Sequence, residues 1–353
     1  MSILIAFIIF GLIILVHEFG HFIVARKNGI VVEEFAIGMG PLIYGKQKGD
    51  TLYSIRLLPI GGYCKMLGAD EDAQEEGSYT SKNVFQRMAV IIAGSSMNFV
   101  LSFILILIIL SVNGHRSLIV ENVTDGSPGY YAGLMPGDRI ISIDNSRLFV
   151  FANAQTALFN NNNTPVEVLF NREGQRLTLV ITPEHYQGSS YIIGFNTVYF
   201  AGFFGETPDG VPQASIFQTL AHSFWTVLHY IRIVIVGLTQ LFTFNVPLDD
   251  VAGLVGIVNI IGDVYEAAIE ISPWVAATQI LNFAALLSAN IAVFNLFPIP
   301  ALDGGRLVFL FVEAVRGKPI SSEKEGFIHL IGLALLIGLI IIVTFNDILG
   351  LFR

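Results

Sequence analysis

The first apolar run of the chain covers residues 3–25 and contains the sequence His17-Glu18-Phe19-Gly20-His21. A helix of about 20 such residues is long enough to cross the hydrocarbon core of a bilayer. Histidines four positions apart lie on one face of a helix, one turn from each other, and can bind one metal ion together. Ionisable residues inside a membrane span are costly, so we interpret this motif as functional.

Glu18 lies beside the first histidine, where a carboxylate can activate a water molecule bound to the metal. The alternative is structural: two histidines pack in a helix bundle with a paired glutamate. At about 1.5 Å per residue, His17 lies about 21 Å along the helix from Ile3, past the middle of a hydrocarbon core of about 30 Å. We therefore expect a metal site within the membrane, nearer the end of the span that carries Arg26 and Lys27.

The composition is that of a membrane protein with some water-exposed mass. The chain is 53% hydrophobic and 13% charged, and this charged share is well below that of soluble proteins. A net charge of -9 and the lack of a basic patch exclude nucleic acid as the expected partner. The single cysteine, Cys64, excludes an internal disulfide and a cysteine-based zinc site, and we interpret it as a small buried residue.

The hydropathy pattern predicts a polytopic α-helical protein with four spans, at residues 3–25, 89–112, 274–297 and 327–345. The first is interpreted as a retained span rather than a signal peptide, because no basic segment precedes it and no small-residue cleavage site follows. Lysine and arginine are concentrated in residues 26–88 and 298–326, so the positive-inside rule places these connections in the cytoplasm. The 113–273 region and both chain ends are then expected outside.

Residues 213–271 are expected to form amphipathic helices at the outer membrane surface rather than a fifth span. The first helix, over 213–244, has a polar stripe close to the 3.6-residue period of a helix. The stripe consists of Gln218, His222, Thr226, His229, Arg232 and Gln240. A second helix is expected over 252–271. The alternative in which 216–242 spans the membrane stays open, and it would move Arg316 and Lys318 to the other side.

The segment after the first span alternates and turns, which predicts β-hairpins rather than a helix. A Lys48-Gly49-Asp50 turn separates two apolar strands, and we expect strand breaks around Gly38-Met39-Gly40-Pro41 and around Pro59 to Gly62. Strand edges near the metal motif can hold an extended peptide through backbone hydrogen bonds, although an ordinary cytoplasmic loop is an equal alternative. The acidic residues between 70 and 76 are expected to form a solvated loop.

Residues 115–185 have the composition of a soluble α+β module. Short strand patterns flank Gly126-Ser127-Pro128-Gly129 and Pro136-Gly137-Asp138, which predict a loop, a short helix and a turn. This arrangement resembles a bacterial PDZ domain, a fold that binds peptides by strand addition. The resemblance implies a peptide ligand. Residues 191–195 are expected to form a further strand that leads back to the membrane.

Two further segments contribute candidate site residues. In the second span, Asn98 needs a polar partner in lipid, and it serves either as a link between helices or as a group facing the site. A catalytic zinc takes three protein ligands and keeps one position open. Pro298 and Pro300 interrupt the end of the third span, and Asp303 follows beside glycines. We expect Asp303 to be the third ligand rather than a helix cap.

These motifs resemble those of the site-2 protease family of intramembrane zinc metalloproteases. His17-Glu18-Phe19-Gly20-His21 and Asn295-x-x-Pro298-x-Pro300-x-Leu302-Asp303-Gly304 are similar to its two signatures, and Gly94-x-x-x-Asn98 is similar to a third motif. The segments around Gly38 and Gly61 resemble the membrane-reentrant β-loop of the family. The order of segments resembles the bacterial regulator-of-sigma-factor protease branch, with the difference that this chain has room for one PDZ domain instead of two.

The resemblance implies cleavage of single-span membrane proteins, such as anti-sigma factors or signal-peptide remnants, within the bacterial plasma membrane. It also implies Zn²⁺ bound by His17, His21 and Asp303, with Glu18 as the general base. Substrate-positioning roles fall to Asn295, Asn98, Pro298 and Pro300. The PDZ domain is expected to be extracytoplasmic and to exclude substrates whose outer domain is intact, while the active site lies towards the cytoplasm.

The expected division of the chain has seven segments. They are a first span with the zinc motif (1–26), a cytoplasmic-side loop with reentrant hairpins (27–88), a second span (89–112), the PDZ domain (115–185), the surface helices (213–271), a third span with the aspartate motif (274–305) and a fourth span (327–349). Two other functional classes remain as alternatives: a membrane metal transporter and a non-catalytic membrane adaptor built around the PDZ domain. A transporter needs ionisable residues along a pore, and an adaptor has no need of Glu18.

Overall fold

The computed structural model describes residues 1–69, 75–144, 146–159, 161, 163–185, 191–243 and 253–350. The acidic stretch predicted around Asp70, Glu71 and Asp72 lies outside these residues. The chain divides into two compact units. The first consists of Met1–Leu105 with Ile233–Arg353, and the second consists of Ile106–Arg232.

The first unit is a helical assembly. Its helices are α1 (Ser2–Lys27), the first part of α2 (Val84–Asn113), the end of α5 (Ile216–Phe242), α6 (Leu254–Ile269), α7 (Pro273–Leu296), α8 (Asp303–Arg316) and α9 (Ser322–Gly350). Local capping sets several of these boundaries. The Ser272 hydroxyl accepts the Val275 N–H and Pro273 occupies the first turn of α7, while Gly317 ends α8 in the left-handed conformation.

A few polar contacts hold these helices against one another. Arg87 of α2 forms an ion pair with Glu313 of α8. The Ser288 hydroxyl on α7 donates to the backbone oxygen of Asn98 on α2 at 2.8 Å. Asp347 of α9 accepts the N–H groups at the start of α6, from Gly253 at 3.1 Å and Gly256 at 2.8 Å. Such internal partners satisfy polar groups that lipid cannot.

Residues 32–66 form a folded β-hairpin of two long strands, β1 (Val32–Lys48) and β2 (Thr51–Met66). Residues 42–48 pair with 51–56, while residues 34–37 pair both with 52–55 and with 62–65, so the pairing changes near the expected breaks. Gly38, Gly40 and Gly61 adopt φ values of +85°, +84° and +85°. Glycine tolerates this region without a Cβ clash, so the strands bend at these positions instead of ending. The predicted turn at Gly49 is present.

The distal half of the hairpin exposes an apolar surface. Residues with more than two-fifths of their surface accessible are Ile37, Met39, Leu42, Ile43, Tyr44, Ile55, Leu57 and Leu58. An exposed patch of this size on a protein marks a partner or a membrane. At its proximal end the hairpin packs on α1, where Phe22 and Phe35 lie in one apolar cluster with Tyr53 beside them.

In the part of the chain that the structure describes, five helices are long and apolar enough to cross a membrane by length and composition. Four of them correspond to the predicted spans: Ser2–Lys27, Val84–Asn113, Pro273–Leu296 and Glu323–Leu349. The fifth is Ile216–Leu241, the segment expected at the membrane surface. It passes the same criteria, so its placement at the surface stays a prediction. Residues 244–252, between the two expected surface helices, lie outside the described part of the chain.

Among the described residues, the second unit contains a six-stranded sheet, two short helices, the end of α2 and the first part of α5. Strands β3 (His115–Val123), β4 (Arg139–Ile143), β6 (Val166–Arg172), β7 (Gln175–Ile181) and β10 (Phe195–Phe200) follow the order β10-β3-β4-β6-β7, and β5 (Ser146–Arg147) pairs with β4. A separate pair consists of β8 (Glu184–His185) and β9 (Tyr191–Ile192). The strands expected within 115–185 are present, and α3 (Pro128–Ala132) occupies the expected short helix. The single strand expected over 191–195 is instead divided into β9 and the start of β10, because residues 193–194 are not in a strand.

This sheet has its own apolar core. Helix α4 (Phe151–Leu158) contributes Ala154 and Leu158 to a cluster that includes Val120, Ile140 and Phe170. A buried ion pair braces its turns: Asp138 accepts two hydrogen bonds from Arg172, each at 2.7 Å, and also the N–H of Met135. An independent core is the mark of a domain, which agrees with the soluble module expected over 115–185.

The polar stripe of α5 contacts this domain. His229 accepts a hydrogen bond from the Asn153 amide nitrogen at 2.7 Å, and Arg232 donates to the Ser146 hydroxyl at 3.1 Å. The ring of Trp225, on the same helix, stacks on Phe149 with 4.0 Å between centroids. His229 and Arg232 therefore serve packing within the second unit, because buried polar groups need partners.

Candidate metal centre

Helix α1 brings the two histidines of the first motif together. Their imidazole rings are 7% and 6% exposed, and the Nε2 atoms of His17 and His21 are 3.1 Å apart. The four-residue spacing places both rings on one face, as the sequence predicts. Glu18 lies on the same helix, next to His17, and is half-buried.

The third member of the cluster arrives from the other end of the chain. Asp303 is the first residue of α8, and its Oδ2 atom lies 3.1 Å from His17 Nε2 and 3.3 Å from His21 Nε2. Within the described residues, these three side chains form the one group of histidine, cysteine or acidic residues with metal-ligand spacing. The positive end of the α8 dipole favours a carboxylate at this position.

The loop before Asp303 folds tightly back on itself. A Cβ on Gly305 would lie 2.6 Å from the Ile299 carbonyl oxygen, and one on Gly304 would overlap the Phe297 carbonyl. The two glycines accommodate the backbone of their own loop, which sets where Asp303 projects.

The geometry of the three atoms fits zinc. Ligands bound tetrahedrally to zinc at 2.0–2.1 Å lie about 3.3 Å from one another, close to the separations of 3.1, 3.1 and 3.3 Å found here. The chemistry of the donors agrees. Asp303 Oδ2 is buried and accepts no hydrogen bond from the described residues, and it faces two imidazole nitrogens. A cation between these three electron-rich atoms removes their mutual repulsion.

A second layer of contacts orients the histidines. His21 Nδ1 donates to the Val90 carbonyl oxygen at 2.8 Å, which leaves the Nε2 lone pair for a metal. His17 Nδ1 lies 3.5 Å from the Asn98 amide nitrogen. Gly94 lies directly against both rings, since a Cβ there would be 2.5 Å from His21 Nε2 and 2.7 Å from His17 Cε1. Helix α2 therefore fits around the histidine pair.

Glu18 faces the hairpin as well as the cluster. Its carboxyl group lies beside the backbone and thiol of Cys64 in β2, and a Cβ on Gly62 would lie 3.8 Å from its Cγ. Burial, and to a smaller extent the Glu18 carboxyl, raise the pKa of the Cys64 thiol to about 12. The strand edge expected near the metal motif thus passes the predicted catalytic base.

The remaining predicted site residues are not among the ligand atoms of the cluster. Asn295 is half-buried in the last turn of α7, and Pro298 and Pro300 lie in the loop that leads to Asp303. The side chain of Asn98 is fully buried between helices, and its Oδ1 atom has no hydrogen-bond partner among the described residues.

The other histidines of α5 have partners of a different kind. The ring of His222 packs on His115 with 4.1 Å between centroids, and His229 bonds to Asn153.

Sequence reasoning missed three contributors to the site. The Val90 carbonyl has no signature because any residue supplies a carbonyl. Gly94 belongs to the Gly94-x-x-x-Asn98 motif, but the motif did not predict that Gly94 lies directly against both histidine rings. His329 of α9 accepts a hydrogen bond from the N–H of Ala301, in the loop before Asp303, and it lies in a span where ionisable residues are rare.

Comparison with known proteins identifies the family. Residues 5–339 match the sequence model of Peptidase family M50. The chain is similar to the regulator of sigma-W protease RasP of Bacillus subtilis, with 31% identity over 428 aligned positions that cover 98% of this chain and 97% of the relative. It is also similar to the zinc metalloprotease RasP of Shouchella clausii, with 32% identity and full coverage of both chains.

A protein of Clostridium acetobutylicum with the provisional name of zinc metalloprotease is 33% identical over 349 residues, covering 98% of this chain and 97% of its own. A family match across almost the whole chain accords with the buried His17, His21 and Asp303 cluster and with several membrane-length helices. The chain is a protease, and zinc is its metal. It belongs to peptidase family M50, the family of the site-2 proteases.

Proposed function

We propose that this protein cleaves single-span membrane proteins within the bilayer, as a step in regulated intramembrane proteolysis. The observation that carries the proposal is the cluster of His17, His21 and Asp303, with ligand atoms 3.1–3.3 Å apart and Glu18 adjacent, on a helix of membrane length. The name of the B. subtilis relative, a regulator of sigma-W protease, favours anti-sigma factors as substrates. Signal-peptide remnants belong to the same chemical class.

The proposed roles follow from position and donor type. His17, His21 and Asp303 hold the zinc, which when bound polarises a water molecule and lowers its pKa towards about 7. Glu18 accepts a proton from the attacking water and later delivers it to the leaving amine. Asn295, with Pro298 and Pro300 around it, hydrogen-bonds the scissile segment or the developing oxyanion. Asn98 orients His17.

The substrate is expected to bind as an extended strand. A helical span hides its carbonyl groups in its own hydrogen bonds, so it must unwind locally before attack. The hairpin between residues 36 and 66 offers backbone partners for the unwound segment, and β2 passes Glu18 at Cys64. The exposed apolar residues of the distal hairpin support its contact with lipid.

We also propose that the protein lies in the plasma membrane. Its second unit is then a single PDZ domain outside the cytoplasm, and its zinc site lies towards the cytoplasmic side. The distribution of lysine and arginine supports this orientation. We propose that the domain and α5 exclude substrates whose outer domain is still intact. Deletion of residues 115–185 should then allow cleavage of uncut substrates, and unchanged selectivity would argue against the gate.

The decisive experiment uses Glu18→Gln in the full chain, co-expressed with a tagged single-span test substrate whose outer domain has been trimmed. We expect cleavage to fall at least 10³-fold while zinc stays bound, because the base is lost and the ligands remain. Glu323→Gln, an exposed position at the start of α9, is the matched control. Cleavage that persists in Glu18→Gln would refute the assignment.

Zinc removal separates the remaining alternatives. A chelator should abolish cleavage and added zinc should restore it, since the three ligands act through the metal. An adaptor would bind the substrate with no cleavage in either state. A transporter would move metal across proteoliposomes. Against a transporter, only His17, Glu18 and His21 are ionisable well inside the four predicted spans.

A further inference from the structure

Ala301, two residues before Asp303, holds a backbone conformation that is unfavourable for its side chain. Its φ is +78°, in the left-handed region that alanine rarely adopts. Such a conformation is unfavourable for any residue with a Cβ and persists only when neighbouring groups hold it. The strained residue lies in the loop that carries a proposed zinc ligand, so whatever holds this loop also sets the position of the Asp303 carboxylate.

The group that holds it is a histidine from the last helix. The N–H of Ala301 donates to Nδ1 of His329 on α9 at 2.8 Å. Because a backbone N–H can only donate, His329 must present an unprotonated Nδ1 and carry its proton on Nε2. Its Nε2 faces the Glu325 carboxylate one turn earlier, with 3.8 Å to Oε1.

Two more contacts fix His329 against the loop and against α8. Its ring packs on Phe309 of α8, with 5.5 Å between centroids, so it touches the helix that Asp303 begins. One turn further along α9, Gly332 lies against Pro300, and a Cβ there would overlap the Pro300 side chain and lie 2.5 Å from its carbonyl oxygen. The close approach of α9 at Gly332 places His329 within reach of Ala301.

We propose that His329 is a positioning residue, which holds the strained Ala301 loop through Nδ1 and thereby keeps the Asp303 carboxylate in its place beside His17 and His21. This inference rests on the proposed role of Asp303 as a zinc ligand. It assigns to the last span a part in building the active site that goes beyond anchoring the chain. His329 makes no contact with the reacting atoms and acts through the loop.

The conformation of Ala301 supplies an internal test. Glycine adopts a φ of +78° without a Cβ penalty, so Ala301→Gly lowers the strain that His329 has to oppose. Asparagine carries an amide oxygen at nearly the position of the histidine Nδ1 and can accept the same N–H. Leucine fills a comparable volume but accepts nothing. The three substitutions thus separate hydrogen bonding from packing.

The experiment measures zinc release from the purified full chain to a colorimetric chelator, together with cleavage of the trimmed single-span substrate. We expect His329→Leu to release zinc about 10–100-fold faster and to lower the cleavage rate by a similar factor, the range for loss of a group that orients a metal ligand. His329→Asn should stay within about threefold of the wild type. In the Ala301→Gly background, His329→Leu should lose less than half as much on a logarithmic scale.

Leu330→Ala, at an exposed neighbouring position on α9, is the control for general effects on that helix. Wild-type zinc retention in His329→Leu, or equal losses in His329→Leu and His329→Asn, would overturn the inference. If His329→Leu does not fold, the comparison of His329→Asn with the wild type still tests the inference, because zinc release from the asparagine variant that is faster by much more than about threefold would overturn it. If Glu18→Gln loses cleavage while the His329 variants keep wild-type zinc release and cleavage, this inference is refuted and the proposed function stands.

Discussion

His21 donates a hydrogen bond from Nδ1 to the carbonyl oxygen of Val90, at 2.8 Å. This contact fixes the tautomer, because a carbonyl only accepts, and it points the Nε2 lone pair at Asp303 Oδ2 and His17 Nε2. Val90 lies on α2, so the second helix determines which nitrogen of a first-helix histidine is available to the metal. The neighbouring positions on α2 are therefore where substitutions should affect zinc without altering a ligand.

Asn98 should contribute to zinc affinity through His17. Its Oδ1 is buried without a partner among the described residues, while its amide nitrogen lies 3.5 Å from His17 Nδ1. A His17 that offers Nε2 to zinc carries its proton on Nδ1 and needs an acceptor there. The oxygen and nitrogen of an amide are assigned from their hydrogen bonds, so we place the Asn98 oxygen beside His17 Nδ1, where it accepts this proton. Asn98→Ala should weaken zinc binding about 10–100-fold, measured by chelator competition.

Asn98→Asp, which keeps an acceptor at the same position, is the informative partner for Asn98→Ala. It should retain zinc better than the alanine variant. If both variants bind zinc as the wild type does, Asn98 only links α2 to α7, where its backbone oxygen already accepts the Ser288 hydroxyl.

Gly94 should tolerate no side chain. A Cβ there would lie 2.5 Å from His21 Nε2 and 2.7 Å from His17 Cε1, and both rings are held by α1 and by their own partners. Gly94→Ala should therefore displace the rings and reduce zinc content and cleavage by more than 10-fold. Gly11→Ala on α1 has open space around its Cβ position and is the matched control. Full zinc occupancy in Gly94→Ala would show that the helices separate at little cost.

The clustering of His17, His21 and Asp303 could be predicted from sequence, whereas the groups that orient these side chains could not. The spacing of His17 and His21 follows from helix periodicity, and the proline-broken segment before Asp303 marks irregular backbone at membrane depth. The contacts of His21 with Val90 and of His329 with Ala301 depend on how distant helices pack. No local pattern encodes such pairs.

The course of the hairpin strands also depends on contacts that local sequence patterns do not encode. Its turn at Gly49 and its apolar strands follow from local patterns, but Gly38 and Gly61 were interpreted as strand breaks. Glycine permits a positive φ whether or not the strand continues, and cross-strand pairing decides between the two outcomes. The same holds for the polar stripe of α5, whose residues His229 and Arg232 find partners within the second unit.

Glu34 should make the stability of the hairpin depend on acid. Burial alone raises the pKa of its carboxyl, but hydrogen bonds from Ser54, Arg56 and Tyr63 outweigh this and hold the pKa below its ordinary value. Because the folded pKa is lower than the unfolded one of about 4.3, this contribution is complete above that pH and is lost as the pH falls through the folded pKa. Thermal unfolding in detergent between pH 7 and about pH 3 measures it.

Glu34→Gln should lower the melting temperature by several degrees at pH 7 and should flatten its decline in acid. Glu33→Gln is the control, since Glu33 pairs with Lys65 at an exposed position, where ion pairs contribute little. Equal acid dependence in wild type and Glu34→Gln would contradict the prediction.

Cys64 should report on the Glu18 carboxylate. It is the only cysteine of the chain, and burial together with the Glu18 carboxyl raises the pKa of its thiol to about 12. A free thiol has a pKa of about 8.5, so at pH 8 the thiolate fraction, and with it the alkylation rate, should be about a thousandfold lower than in the unfolded chain. Mass spectrometry after iodoacetamide treatment in detergent measures this rate.

Glu18→Gln removes the smaller of the two causes that raise the Cys64 pKa, the nearby negative charge, and leaves burial in place. Labelling of the folded variant should therefore be a few-fold faster than that of the wild type, yet far slower than that of the unfolded chain. Glu323→Gln at the start of α9 should leave the rate unchanged. Identical labelling rates in wild type and Glu18→Gln would mean that the Glu18 carboxylate points away from β2. In that case a substrate strand bound along the edge of β2 would not reach Glu18, and the proposed substrate-binding mode would be refuted.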